Sequence, residues 1–176
     1  ASGNTSTAMG DGTNSSGDFS TAMGYGTTAS EDYSTAMGDG TTASGNASTA
    51  MGRSTTASGN RSTAMGYGTT ASGFYSTAMG GGTEASGIGS TAMGGAAEAS
   101  GDFSTAMGDM TTAKSYAETS IGLNNTDYTP ADSTNWNSAD RLFVIGNGQS
   151  APSDAMIVYK SGNTAINGAL TSVSYT

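Results

Sequence analysis

Apolar residues recur along this chain at a single spacing. Met9, Met23, Met37, Met51, Met65, Met79, Met93 and Met107 are each fourteen residues from the next, and Ile121 takes the ninth place. Each unit holds two short runs, Ser-Thr-Ala-Met-Gly and approximately Thr-Thr-Ala-Ser-Gly, as in Ser20 to Tyr33. Two variable residues follow each run. Fourteen residues with Gly near the end of each run leave no room for a helix of ordinary length. They fit two short strands joined by two tight turns. The pattern predicts a solenoid with one coil per repeat, like runs stacking in parallel about 4.8 Å apart. Roughly nine coils then make a rod about 40 Å long.

Strand alternation sorts the side chains of the first run. Thr and Met fall on one face; Ser, Ala and Gly fall on the other. A coil this short encloses little space, so the small face, Ala22 with help from Ala29, is predicted to line the interior. The Met column then points outward as an apolar patch of the size that marks an interface. Met23, Met37, Met51, Met65, Met79 and Met93 are therefore the candidate contacts between copies of the chain. The alternative is that Met fills the interior opposite Ala.

Variation is concentrated in the turns. One turn column runs Asp11, Tyr25, Asp39, Arg53, Tyr67, Gly81, Gly95, Asp109, and the other Phe19, Tyr33, Ala47, Arg61, Tyr75, Gly89, Phe103, Ala117. Turns that vary while strands stay fixed are places where binding residues sit. Phe19, Tyr25, Tyr33, Tyr67 and Tyr75 are the candidate ligand-binding residues, exposed aromatics being enriched at binding sites. Filling grooves between subunits is the competing role. Asp11, Asp39 and Asp109 share a turn but not adjacent coils, too sparse for the six or more oxygens calcium takes.

The unit resembles the head repeat of trimeric autotransporter adhesins, the YadA-like family. That family repeats Ser-Val-Ala-Ile-Gly, a short spacer and an Ala-containing second strand. Here Thr replaces Val and Met replaces Ile in nearly every copy, and Ile121 recovers the isoleucine. The likeness covers about Ser6 to Gly122. It implies an all-β, left-handed parallel β-roll assembled as a homotrimer, an adhesin head held away from the bacterial surface on a stalk. It implies an extracellular location, with anchoring in the outer membrane through parts outside this chain. It supplies no ligand.

Residues 1–126 are thus predicted to be the roll, 127–140 a linker, and 141–176 a short β neck or connector towards a stalk beyond Thr176. The chain begins in mid-repeat at Ala1-Ser-Gly-Asn4, the expectation being a fragment of a longer protein. Coil eight loses its Ser-Gly pair at Thr111 to Ala117, as capping repeats do. Trp136, within a polar stretch, is expected to pack on the end of the roll. Leu142-Phe-Val-Ile145, Ala155-Met-Ile-Val-Tyr159 and Thr164-Ala-Ile166 read as three short strands, too few to stand alone. A core shared among three chains is expected there. Segments around Arg141 and Val158 also resemble sequences found in large surface proteins and phage tail fibres.

Composition changes this picture only at the margins. Leu, Ile, Val and Phe together number 15 and the net charge is −9, a balance that alone would predict disorder. The repeat overrules it, with stability leaning on neighbouring coils and on oligomerisation. Five basic residues against fourteen acidic argue against nucleic acid and against a charged membrane surface. No apolar run is long enough to span a bilayer, so no direct membrane insertion by this segment is expected. The chain has no His and no Cys, which removes the usual bases and thiol nucleophiles. No phosphate loop is present, and nothing calls for a cofactor or a metal. The expectation is a non-enzymatic adhesin head with an extracellular protein or glycan ligand. Two alternatives stand beside it. One is a trimeric segment of a phage or injection-system tail fibre. The other is an ice-binding β-solenoid using the ladder Thr7, Thr21, Thr35, Thr49, Thr63, Thr77, Thr91, Thr105 and Thr119.

Overall fold

The coils follow the fourteen-residue period without a slip. In a computed structural model, which describes residues 1–168, Thr21–Tyr25 pairs in parallel with Thr35–Asp39, and Thr35–Asp39 with Thr49–Arg53. The pattern continues to Thr119–Leu123, placing Ala on Ala and Met on Met, with Ser120 and Ile121 in those places at the last step. The second run makes two-residue strands, Asn14–Ser15 through Thr112–Ala113, stacked into an eight-stranded parallel sheet. The protein is an all-β parallel solenoid, with no helix among the described residues. Residues 169–176, the end of the expected neck, lie outside the described part, as does any stalk beyond them.

The interior is built from the smallest side chains. Ala22, Ala29, Ala36, Ala43 and their equivalents up to Ala113 are fully buried, while the Met on the same long strand is half-buried at its outer face from Met23 to Met93 and exposed at Met107. Ala therefore lines the roll and Met does not. The second run also turns a Thr inward: Thr27, Thr41, Thr55, Thr69, Thr83 and Thr111 are fully or nearly fully buried, with Ala97 in the same slot. None of these hydroxyls finds a hydrogen-bond partner. Their methyl groups fill the space between the two sheets.

Close stacking dictates glycine at the end of the first run. A Cβ built on Gly66 would lie 2.0 Å from the carbonyl oxygen of Gly80, and equivalent positions from Gly10 to Gly108 meet the same obstacle. The turns are tied from coil to coil by the same bonding that joins the strands. Tyr33 N–H donates to Asp18 O (2.8 Å), and Gly40 N–H to Tyr25 O (2.8 Å).

The roll closes on a hairpin that continues its sheet. Arg141–Asn147 pairs in parallel with Thr119–Leu123, setting Phe143 on Thr119, Val144 on Ser120, Ile145 on Ile121 and Gly146 on Gly122. Val144 is fully buried and extends the inner column where Ala had been. Asp154–Tyr159 and Thr164–Ile166 then add antiparallel strands, Met156 lying on Ile145 and Ile166 on Met156. The intervening segment 127–140 carries no strand. It is held by the buried Asp140 carboxylate, which accepts N–H bonds from Ala131 (2.7 Å) and Asp132 (2.9 Å). Trp136 does not pack on the end of the roll: it is 56% exposed, with Lys160 Nζ 5.6 Å from its ring centre.

Candidate functional site

Three features stand apart from the repeating scaffold: an apolar ladder, two decorated turn columns and a charged cap. The ladder runs through all twelve strands of the long sheet. Met9 to Met107 lead into Ile121, Ile145, Met156 and Ile166 in unbroken register. Met23, Met37, Met51, Met65, Met79 and Met93 are all half-buried in the single chain. The neighbouring Thr column ends in Phe143, Val158 and Thr164, so this face becomes more apolar at the hairpin.

The turn aromatics are exposed. Phe19 is 50% accessible, Tyr25 63%, Tyr33 61%, Tyr67 62% and Tyr75 51%. Phe19 and Tyr33 stack across one coil, ring centres 5.3 Å apart and planes at 5°. Tyr25 and Tyr67, in the other column, stand three coils apart and do not meet each other. Arg53 lies between Asp39 (3.5 Å) and the Tyr67 ring (5.8 Å to its centre). Tyr75 meets Phe74 edge-on at 4.2 Å, and its hydroxyl accepts a hydrogen bond from Arg61 Nη1. Sequence reasoning passed over Phe74 and Arg61 as site residues. The signal was present, since Arg61 stands fourteen residues before Tyr75 and so directly beside it in the stack.

Backbone geometry marks the second turn column. Phe19, Tyr33, Ala47, Arg61, Tyr75, Phe103 and Ala117 all adopt φ between 54° and 61°, and Gly89 has φ 64°. That left-handed conformation costs about 1–2 kcal/mol for a residue with a side chain and almost nothing for glycine. Bulky residues persist where glycine would fit better. A neighbouring ladder supports the turn: a carboxylate or amide oxygen of one coil accepts the N–H of the coil before it. Examples are Asp18 to Asn4 (2.7 Å), Asp32 to Asp18 (2.9 Å), Asn60 to Asn46 (3.2 Å) and Asp102 to Ile88 (2.9 Å).

The cap gathers charges that no repeat contains. Glu118 occupies the slot that Ser20 and Ser104 fill in their coils and is fully buried. Its Oε2 accepts N–H bonds from Lys114 and Ser115 (both 2.9 Å) and the Tyr128 hydroxyl (3.3 Å), while Oε1 has no partner. Burial pushes its pKa above the ordinary carboxyl value, against those backbone bonds and the Arg141 charge. Burial likewise pushes Tyr128 up to about 12 and pulls Lys160 down. The Arg141 guanidinium lies 4.1 Å from the Tyr128 ring centre and donates to Thr126 O (2.6 Å) and Thr126 Oγ1 (2.8 Å), with Asp154 at 3.6 Å. Lys160 Nζ donates to Ser115 Oγ at 3.0 Å. Every one of these groups ties segments 115–128, 141 and 154–160 together, so the cluster is a clamp on the end of the solenoid. Among the described residues no group of acidic side chains is arranged to hold a metal.

Comparison with known families decides what kind of solenoid this is. The family model for the YadA head domain repeat (two copies) matches successively from residues 1–27 and 15–41 to 71–94 and 85–109. The chain belongs to the YadA head family. Its coils are the head repeats of trimeric autotransporter adhesins, a family displayed at the outer-membrane surface. A comparison with curated proteins finds no significant match. The YadA head match ends at residue 109, so the cap clamp and hairpin lie beyond the matched repeats.

Proposed function

We propose that this YadA-type head is an adhesive rod of three chains, joined along the Met ladder and attaching a bacterial surface to host matrix, cells or solid surfaces. The observation that carries this reading is the unbroken apolar column on one face of all twelve strands. A half-buried Met that completes its burial against a partner gains roughly 1 kcal/mol, and the column repeats that gain along the rod. Burying this face also buries the Thr ladder beside it, which removes the flat exposed array that ice binding would need.

The turns are then left for ligand. Phe19, Tyr25, Tyr33, Tyr67 and Tyr75 are proposed as the contacts. Side chains kept at strained φ in the second column support this, because an exposed left-handed turn gains nothing in stability from an aromatic side chain over glycine except ring stacking. No catalysis is assigned. The mechanism is avidity: identical weak contacts repeated around and along the rod add through effective concentration.

A cysteine cross-link tests the ladder, because the chain contains no Cys to compete. Met65→Cys, oxidised in dilute solution, should give covalently linked chains on a non-reducing gel, while a Cys at the exposed Ser72 should not. Beads coated with the chain should adhere to matrix or glycan surfaces far better than beads coated with an assembly-defective variant at equal chain density. Linking only through Ser72→Cys, or equal adhesion of both beads, would remove this reading.

A further inference from the structure

We propose that Arg61, Phe74 and Tyr75 form a binding site for the carboxylate-bearing sugars of an acidic polysaccharide, Asn60 lining its edge. This deepens the adhesive reading and rests on it for its biological use, but the site itself needs only one chain.

The guanidinium of Arg61 is unusual on this rod. Its carbon lies 5.3 Å from the Tyr75 ring centre and 6.0 Å from that of Phe74, and Nη1 donates to the Tyr75 hydroxyl. No carboxylate among the described residues pairs with it, whereas Arg53, in the same coil, has Asp39 at 3.5 Å. Arg61 is exposed, Nη1 makes its only side-chain hydrogen bond among the described residues, and it stands beside two exposed aromatic rings, Phe74 at 39% and Tyr75 at 51%.

The ladder next to Arg61 gives an independent indication. Asp18, Asp32 and Asp102 accept the coil-to-coil N–H bond through a carboxylate. In the coil of Arg61 and the coil before it, that position is Asn60 and Asn46, and Asn60 makes the same bond at 3.2 Å. An Asp there would keep the bond and also neutralise Arg61. The sequence uses the neutral side chain at the two places where a carboxylate would cancel the charge. The nearest acids of that column, Asp32 and Asp102, stand two and three coils away, roughly 10 and 14 Å along the stack. That is beyond the screening length of about 8 Å at physiological salt. On a chain of net charge −9, one uncompensated cation has been left accessible.

The geometry selects the ligand. A planar guanidinium with parallel donors matches a planar carboxylate by a paired hydrogen bond, which a point charge does not reproduce. Exposed aromatic rings beside it offer flat apolar surface to the C–H face of a sugar ring. A uronic acid presents both features on one residue, and a polymer of them presents the pair repeatedly. Copies of the site on associated chains would engage one polymer by avidity.

The test is titration calorimetry of the intact chain with an alginate oligosaccharide and with the same oligosaccharide after its carboxyls are reduced to alcohols. The carboxylated form should bind, and the reduced form should not. Arg61→Ala and Asn60→Asp should each weaken binding by roughly tenfold to a hundredfold, with melting temperature unchanged. Arg61→Lys should recover only part of the affinity. Absence of binding, equal binding of the reduced oligosaccharide, wild-type affinity in Asn60→Asp, or equally tight binding of poly-glutamate would each overturn the assignment. Light scattering on the same samples separates the two readings. A trimer that ignores alginate removes this site alone, and a monomer that binds it removes the trimer and keeps the site.

Discussion

Gly66 lies directly beneath the carbonyl of Gly80: a Cβ on the first would sit 2.0 Å from the oxygen of the second. The contact is between backbones of successive coils, so no side-chain rotation relieves it. Gly66 also has φ 125°, where a β-branched residue is strained. Gly66→Val should therefore cost more than about 4 kcal/mol or prevent folding, in the range reserved for core disruption. Tyr67→Ala, one residue on and 62% exposed in the wild type, should change stability by less than about 1 kcal/mol. Thermal melting of the two variants by circular dichroism measures the contrast, and equal melting temperatures would show that coil stacking does not depend on this contact.

Ala47 holds φ 54° with only a methyl side chain, in a column where Gly89 sits at φ 64°. Replacing Ala47 with Gly should raise stability by up to about 1 kcal/mol, since relief of left-handed strain outweighs the added freedom of the unfolded chain. The same replacement at buried Ala43 should lower it. A gain at position 47 and a loss at 43, read from denaturant midpoints, is the expected pair; a loss at both would mean the turn carries no strain.

The buried hydroxyl of Thr69 has no partner, and Ala97 shows that the slot accepts a residue without one. Thr69→Val removes an unpaired polar group while keeping the shape, and should stabilise by about 1 kcal/mol or more. Thr69→Ser should destabilise, because it keeps the hydroxyl and deletes the methyl that fills the interior. If Thr69→Val melts lower than wild type, the hydroxyl has a partner in solution.

Much of this architecture is legible in the residues. The Met period sets the coil, alternation puts Ala22 inside, and narrowness explains why Ala and not Met fills it. Thr27 obeys the same alternation relative to Ala29, but its polar identity hid it as an interior residue. The hairpin was harder to see. Ile145-Gly146 takes the register of Ile121-Gly122, yet its spacing from that pair is not the repeat's fourteen, because segment 127–140 intervenes. Glu118 stands fourteen residues after Ser104, so its slot could be counted, but Tyr128, Arg141 and Lys160, which make a buried carboxylate tolerable there, come from outside the repeat. The turn columns were readable as columns, whereas the left-handed φ shared by Phe19, Tyr33, Ala47, Arg61 and Tyr75 is a backbone property that residue identity did not announce.

Glu118 makes the cap sensitive to pH in a defined direction. Its folded pKa is raised above the ordinary 4.5 by burial, so the proton binds more tightly to the folded state. The stabilisation is fully present below about pH 4.5 and is lost as pH rises through the raised value. Glu118→Gln mimics the protonated side chain and should hold its melting temperature as pH is raised from 4.5 toward neutrality, while the wild type falls relative to it. Parallel curves for the two proteins would place the Glu118 carboxylate in a solvated site.

If the Met ladder joins three chains, the mass in solution is that of a trimer. The chain of 17.2 kDa should scatter light as three copies, and remain so on dilution to low micromolar concentration. Changing Met37, Met51 and Met65 together to Asp places unpaired carboxylates in what would be a shared apolar seam. Each would cost several kcal/mol or stay protonated, and assembly should fail. The wild type should be trimeric, and the triple variant should no longer assemble. A monomeric wild type, or a triple variant that stays trimeric with unchanged melting, would contradict a Met-ladder interface.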